Sequence, residues 1–323
     1  MASLKEIKTR IASVNSTRKI TSAMKMVASS KLHHAQLAIQ NMLPYETLLE
    51  HILKSFLVSM PDVTSYFEPK RAEIKRVALV VYSSNSSLCG GFNANVLKMM
   101  EQIVAEYAGQ GVTDVVIYPV GRKVAERVQK KGWTSGGDFI ALADKPNAHD
   151  CALISQELIR KYMAHEIDKV ELVYHHFKSA GSQILTRRTF LPIDLSTEKL
   201  GIMNDRDLTS NVATAKAQEY LRQRDSRRQH AQVEAKPLND NFLVEPDLVY
   251  VLKALAPKLL NLMVYTALLD SIASEHAARM VAMQTATDNA DELLRQLNLQ
   301  YNKSRQAAIT NELLDIVGGS VNN

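Results

Sequence analysis

Cysteine is scarce in this sequence. The two present, Cys89 and Cys151, lie far apart and neither belongs to a C-x-x-C pair. That excludes a disulfide framework and a zinc knuckle, and a reducing compartment is the simple expectation. Aromatic residues make up 6% of the chain, and none falls between Met1 and Lys31. A nucleic-acid surface built on stacking has nothing to stack with there. No stretch approaches the roughly 20 uninterrupted apolar residues of a membrane helix. The first residues carry Lys5, Glu6, Lys8 and Arg10 on an amphipathic repeat, without the apolar centre of a signal peptide. Glu6 and the unbroken helical pattern also argue against an acid-poor transit peptide. From Thr17 to Leu32 there is no acid, no Gly and no Pro.

What is present is an uneven positive charge. The formal net charge of the chain is +5. Lys5, Lys8, Arg10, Arg18, Lys19, Lys25 and Lys31 face only Glu6 within the first 31 residues. That local surplus exceeds the net charge of the whole chain, so the partner it implies is local and acidic.

Periodicity divides the chain. Residues 1–60 read as one helix, in which Leu4, Ile7, Ile11 and Val14 recur at 3-4-3 spacing. The seam then drifts, continued by Ile20, Met24 and Val27, whereas strict heptad counting would fall on Arg18, Thr21 and Lys25. Pro44 is expected to bend or restart the helix. Residues 70–195 alternate strands (Arg76–Tyr82, Thr113–Val120, Lys169–Phe177, Ser182–Leu191) with helices (Asn93–Tyr107, Arg122–Lys131, His149–His165). That alternation implies a mostly parallel sheet with one antiparallel edge, a Rossmann-like α/β domain. Residues 196–241 are polar and turn-prone, with a charged helix expected at Ala215–His230, and read as a mobile insertion. Residues 245–323 read as a second long helix, with Pro246 suited to its first turn and Gly318–Ser320 to its end. Met280, Met283, Thr287, Ala290, Leu294, Leu297 and Tyr301 form its seam. The fold class is therefore α/β, with a long antiparallel coiled coil of the two terminal helices around a Rossmann-like middle. At about 1.5 Å per residue the helices reach roughly 80 and 105 Å, too long to fit inside a compact domain.

No catalytic, cofactor or metal site stands out. The loop "SSNSSLCGGFN" (Ser83–Asn93) follows a strand, yet matches neither GxGxxG nor GxxxxGK[ST] and has no lysine to reach a phosphate. A structural turn is favoured over a nucleotide site. Cys89 has no paired histidine in sequence. His33–His34 and His175–His176 are adjacent pairs that point different ways, and Glu275–His276 does not fit HExxH. The basic helix reads as a solvated face, a nucleic-acid surface, a membrane-surface helix, or a rod gripped by acidic protein loops. Missing aromatics weigh against the second and a thin apolar face against the third.

The two ends, "SLKEIKTRIASVNSTRKITSAMKMVASSKL" and "ASEHAARMVAMQTATDNADELLRQLNLQYNKSRQAAITNELLDIVGG", closely resemble the termini of the gamma subunit of F-type ATP synthases, bacterial type. "LCGGFN" and "EPD" match that family's internal landmarks in order. Two departures are visible. Asn85-Ser86-Ser87 stands where the family commonly has Asp-Arg-Gly, and residues 196–241 are longer than in a typical bacterial member, without the cysteine pair of plant members.

The resemblance implies a non-catalytic rotor shaft inside a hexamer of alpha and beta subunits, with the epsilon subunit and the c-subunit ring as further partners and no cofactor of its own. It implies a peripheral place on the cytoplasmic face of a bacterial inner membrane. Carried over residue by residue, it puts Met24, Lys25, Arg279, Arg305, Gln306, Thr310 and Glu312 at beta-subunit contacts, and Phe242 and Glu245 at the foot near the c ring. A basic coiled-coil scaffold or nucleic-acid protein is the chief rival, and a dinucleotide enzyme comes third.

Overall fold

The computed structural model describes residues 4–59, 74–112, 114–192, 244–245 and 247–320. The expected insertion at 196–241, with its helix at Ala215–His230, lies outside the described residues, as does Phe242. The elements in chain order are α1 (Leu4–Ser59), β1 (Arg76–Tyr82), α2 (Phe92–Gly109), β2 (Asp114–Val120), α3 (Arg122–Lys131), β3 (Thr134–Ser135), a 3-10 turn (Ile140–Ala143), α4 (Ala148–Met163), β4 (Lys169–Ser179), β5 (Ser182–Leu191) and α5 (Leu248–Ser320). The chain divides into two compact units, Met1–Ala28 with Arg279–Asn323, and Ser29–Ala278.

The larger unit is built on a five-stranded sheet of order β3-β2-β1-β4-β5. β1 pairs in parallel with β2 and β4, and β5 returns antiparallel on β4 across the expected hairpin. β1 is apolar along nearly its whole length because it is covered on both faces. Its even residues Ala78, Val80 and Tyr82 join the core containing α4 and α5, whereas Val77, Leu79 and Val81 join the core containing α2 and α3. The period-2 alternation of a strand thus serves two cores at once. Helix α2 presents Val96, Met100, Ile103 and Tyr107 to the sheet, the 3-4 spacing that puts four side chains on one face.

One stretch within Val249–Leu314 of α5 is apolar and long enough to span a bilayer by composition alone. About half of that stretch is buried, and Leu259, Leu260, Leu262, Met263, Val264 and Leu268 of the same helix lie in the sheet core. Tyr82 donates its hydroxyl to the Val264 carbonyl at 3.0 Å, a polar tie inside that apolar contact.

Three expectations need correction. Pro44 does not restart the first helix: α1 runs through it as one element, and α5 likewise runs through Pro257. Buried Ile39 and Leu49 flank Pro44 on α1, so packing on both sides offsets the single hydrogen bond that proline removes. Second, α5 continues through Gly318 and Gly319 to Ser320. Third, the seam of α1 does not drift onto Ile20, Met24 and Val27. In the smaller unit the covered positions are Leu4, Ile7, Ile11, Val14, Arg18, Thr21, Lys25 and Ala28, an unbroken 3-4 repeat. The facing repeat on α5 is Met280, Met283, Thr287, Ala290, Leu294, Leu297 and Tyr301, as the spacing predicts.

Candidate partner-binding surface

Thr21 and Thr287 fix how the two helices of the smaller unit meet. Their hydroxyl oxygens lie 2.8 Å apart. Arg18, one turn earlier, donates from Nη1 to Asp291 at 2.9 Å. A residue earlier on α1 meets a residue later on α5, so the pair is antiparallel. Counting outward in heptad steps sets Val14 across from Leu294 and Ile7 across from Tyr301.

Because the strict repeat takes Arg18, Thr21 and Lys25 inward, the apolar set is turned out. Ile20 is 59% exposed, Met26 70% and Val27 57%, with Met24 beside them at 38%. Ile20, Met24 and Val27 follow i, i+4, i+7, so they form one stripe on the helix surface. Exposed Lys19 and Lys31 border it. The result is an adaptable apolar stripe edged with cations, and methionine suits such a place because it is unbranched and conforms to changing neighbours. The drifting seam put Ile20, Met24 and Val27 inward, whereas the resemblance put Met24 at a partner contact. The signal that finds them is the 3-4 count itself, carried on without drift to Ala28 and Leu32, both buried.

Of the residues singled out in sequence, Met24 lies on this stripe, Lys25 lies half-buried in the seam, and Arg279 is half-buried on α5 within two turns of the level that faces Met24. Arg305, Gln306, Thr310 and Glu312 are exposed, with the Thr310 hydroxyl donating back to the Gln306 carbonyl at 2.9 Å. Arg279 and Arg305 stand 26 positions apart on one helix (305 less 279), roughly 39 Å along its axis. The candidates therefore form two separate groups. Exposed Leu299, Ile309, Leu313 and Leu314 lie around the second group, and sequence reasoning passed over them. Glu245, on the larger unit, is exposed ahead of α5.

The loop after β1 occupies the switch point of the sheet, where doubly wound folds bind nucleotides. Its polar groups are engaged with one another. Ser83 Oγ accepts the Val124 N–H at 3.1 Å, and Asn85 Oδ1 accepts the Arg122 N–H at 2.8 Å. These are first-turn amides of α3, the donors a phosphate would need. Gly121, at φ 104°, lets β2 come this close: a Cβ there would sit 2.2 Å from the Ser83 carbonyl oxygen. Asn93 Nδ2 donates to Cys89 Sγ at 3.1 Å, an amide where a nucleophilic thiol would want a base. The loop is a structural turn. Cys151 is equally remote from chemistry, since burial pushes its thiol up to about 12.

Charged and polar groups inside the larger unit hold elements together. Glu171 on β4 is 2% exposed and meets Lys169 Nζ and Arg187 Nε, each at 2.7 Å. Arg187 also reaches Glu106 at 2.7 Å and donates to the Tyr107 hydroxyl at 3.1 Å. Burial would raise the Glu171 carboxyl, yet its bonds to Arg187, Lys169 and Tyr107 outweigh that and hold it below the usual value. His175 and His176 face opposite sides of the sheet, as adjacent strand residues must. His175 stacks on Phe92 with centroids 4.4 Å apart, and burial lowers it to about 4, so it is neutral. His176 Nδ1 lies 2.8 Å from Asp270 Oδ2 on α5.

Comparison with known proteins follows the same lines. A family model described as ATP synthase matches residues 3–321. The ATP synthase gamma chain of Phocaeicola vulgatus is 53% identical over 321 residues, covering 99% of this chain and all of that one. That of Bacteroides fragilis is 50% identical with the same coverage. Among solved structures, a chain of the Euglena gracilis mitochondrial ATP synthase (OSCP/F1/c-ring, rotational state 3) superposes with a TM-score of 0.59 at 18% identity, covering 98% of this chain and 93% of that one. A second Euglena structure, of the rotor in rotational state 1, gives 0.54 at 16% identity, covering 95% and 98%. At those identities the likeness is one of fold.

Proposed function

The chain belongs to the gamma-subunit family of ATP synthases, and from that premise we propose that it is the central rotor shaft of an F-type, proton-translocating enzyme. Rotation of a membrane ring of c subunits turns the shaft, and the shaft drives the catalytic beta subunits of an alpha–beta hexamer through their affinity states. The chain supplies no catalytic group; ATP turnover falls to its partners. It sits peripherally on the cytoplasmic face of a bacterial inner membrane, attached through the c ring with the epsilon subunit beside it.

The observation that carries this reading is the outward stripe of Ile20, Met24 and Val27 bordered by lysines on a two-helix rod. A rotor meets three equivalent partners in turn and must adhere to none. Exposed ion pairs are worth only about 0–1 kcal/mol each, so cations guide acidic loops without trapping them. An apolar stripe without a deep pocket gives contact without a hot spot that would hold one angle. Met24 faces a beta-subunit acidic loop, Lys25 packs its stem in the seam and offers that loop its ammonium end, and Arg279 stands near that level. Arg305, Gln306, Thr310 and Glu312 form the second station, where Arg305 and Gln306 make charge-assisted bonds at one angle and release them at the next. Glu245 and Phe242 belong to the foot.

Co-expression with alpha and beta subunits tests the reading. A stoichiometric complex that hydrolyses ATP is the expected result. A chain that stays apart from them and instead binds DNA or RNA with steep salt dependence would overturn it in favour of a nucleic-acid protein.

A further inference from the structure

Apolar heptads define a seam without fixing its register. Ile7, Val14, Thr21 and Ala28 on α1, and Met280, Thr287, Leu294 and Tyr301 on α5, still interdigitate after a slip of one whole heptad, because most apolar layers meet other apolar layers. One layer breaks that equivalence. Thr21, 9% exposed, meets Thr287 hydroxyl to hydroxyl at 2.8 Å. Each also has a carbonyl of its own helix within reach, Arg18 at 3.0 Å and Met283 at 2.8 Å. One turn away Arg18 pairs with Asp291 at 2.9 Å. A heptad slip sets Thr21 against Met280 or Leu294 and breaks both contacts. Polar groups inside an apolar seam have this use elsewhere, since they tolerate one register and oppose the others.

Resting on the rotor reading above, we propose that the Thr21–Thr287 layer, supported by Arg18–Asp291, is the register pin of the shaft. It fixes how far α5 extends past the start of α1, and hence the axial offset between the Ile20–Met24–Val27 stripe and the Arg305–Gln306 station. A one-heptad slip changes that offset by about 10 Å, two turns of helix. Partners that grip both stations then meet them out of step. Thr21 and Thr287 are positioning residues: they act through where other side chains are presented.

Paired cysteines read the register directly. Val14→Cys with Leu294→Cys reports the native alignment. Ile7→Cys with Leu294→Cys reports the slipped one, being too far apart to bridge otherwise. Both pairs are placed in the full chain assembled with alpha and beta subunits, and in the purified chain. With Thr21 intact or replaced by Ser, the native pair alone is expected to cross-link. With Thr21→Val and Thr287→Val together, which keep shape and remove the hydroxyls, the slipped pair rises by about two- to tenfold, the population ratio one hydrogen bond commands. Proton pumping per ATP hydrolysed in reconstituted vesicles falls with it, while hydrolysis itself is kept. As a second variant, Arg18→Asp raises the slipped pair and adding Asp291→Arg returns it to background. A slipped pair that stays at background in the valine variant, or pumping and hydrolysis that fall in step, overturns the pin. Failure of the unsubstituted chain to form an ATP-hydrolysing complex sinks the rotor reading alone, because cross-linking in the purified chain still decides the register.

Discussion

Asn85 uses its amide and carbonyl on three partners. Nδ2 donates to the Ile140 carbonyl at 2.9 Å and to Asp144 at 2.7 Å, while Oδ1 accepts from Arg122. An aspartate, which relatives of this family commonly carry at the position, would set a carboxylate against Asp144. Asn85→Asp is expected to destabilise the purified chain by about 1–2 kcal/mol in urea unfolding, the cost of two lost donations from a half-buried side chain plus repulsion. Asp144→Asn on top should restore most of it; an unchanged midpoint in the single variant would refute the account. His175 gives a pH dependence with a definite sign. Its folded value, about 4, lies below the usual 6.5, so protons bind the unfolded chain first. The stability it contributes is present above about pH 6.5 and declines as pH falls toward 4, by roughly 3 kcal/mol in all. His175→Phe keeps the ring against Phe92 and should flatten the urea midpoint between pH 7 and 4; a slope equal to the parent's would count against it. Glu171 adds a further loss below the ordinary carboxylate range, because its folded value is depressed. None of this was legible in sequence. Two adjacent histidines read only as non-chelating, and what sets the charge of His175 is its burial against Phe92.

At the scale of elements, β1, α3 and β5 have the bounds expected from spacing and turn residues, and α2, β2, α4 and β4 fall within two residues. β3 and the 3-10 turn were not foreseen, being two and four residues long, too short for any period to show. The seam of α1 is the instructive miss. Hydrophobicity alone favours Ile20, Met24 and Val27, and the structure instead buries Thr21 beside Arg18 and Lys25. In sequence the apolar stripe and the polar repeat are one residue apart. What decides between them is the partner helix, whose Thr287 and Asp291 match the polar frame. The purified chain should show this asymmetry. Ile20→Ser is expected to change stability by less than about 0.5 kcal/mol, whereas Ile7→Ala, at 3% exposure, should cost about 2–4 kcal/mol. Thermal unfolding that ranks them the other way would place the seam on the drifting frame after all.

For the whole molecule, the family was legible from its two ends and the function followed from the family; the two groups of candidate contact residues were legible only as scattered positions. Their separation on α5 comes from helix geometry, which no motif states. If the second station transmits torque, Arg305→Ala should leave assembly and hydrolysis near the parent level and lower ATP-driven proton pumping by up to about fivefold, as expected for loss of one exposed ionic contact of about 0–1 kcal/mol. Unchanged pumping in reconstituted vesicles would remove Arg305 from the mechanism.

Among the described residues β5 closes the sheet on one side with a row of backbone donors and acceptors on its outer edge. Exposed edges of this kind invite a second copy to add its own strand. Here Arg187 is committed across β4 to Glu171 and on to Glu106, so charge is locked into the rim of the sheet. A sheet rim that carries such a locked charge is a poorer template for strand addition by a second copy.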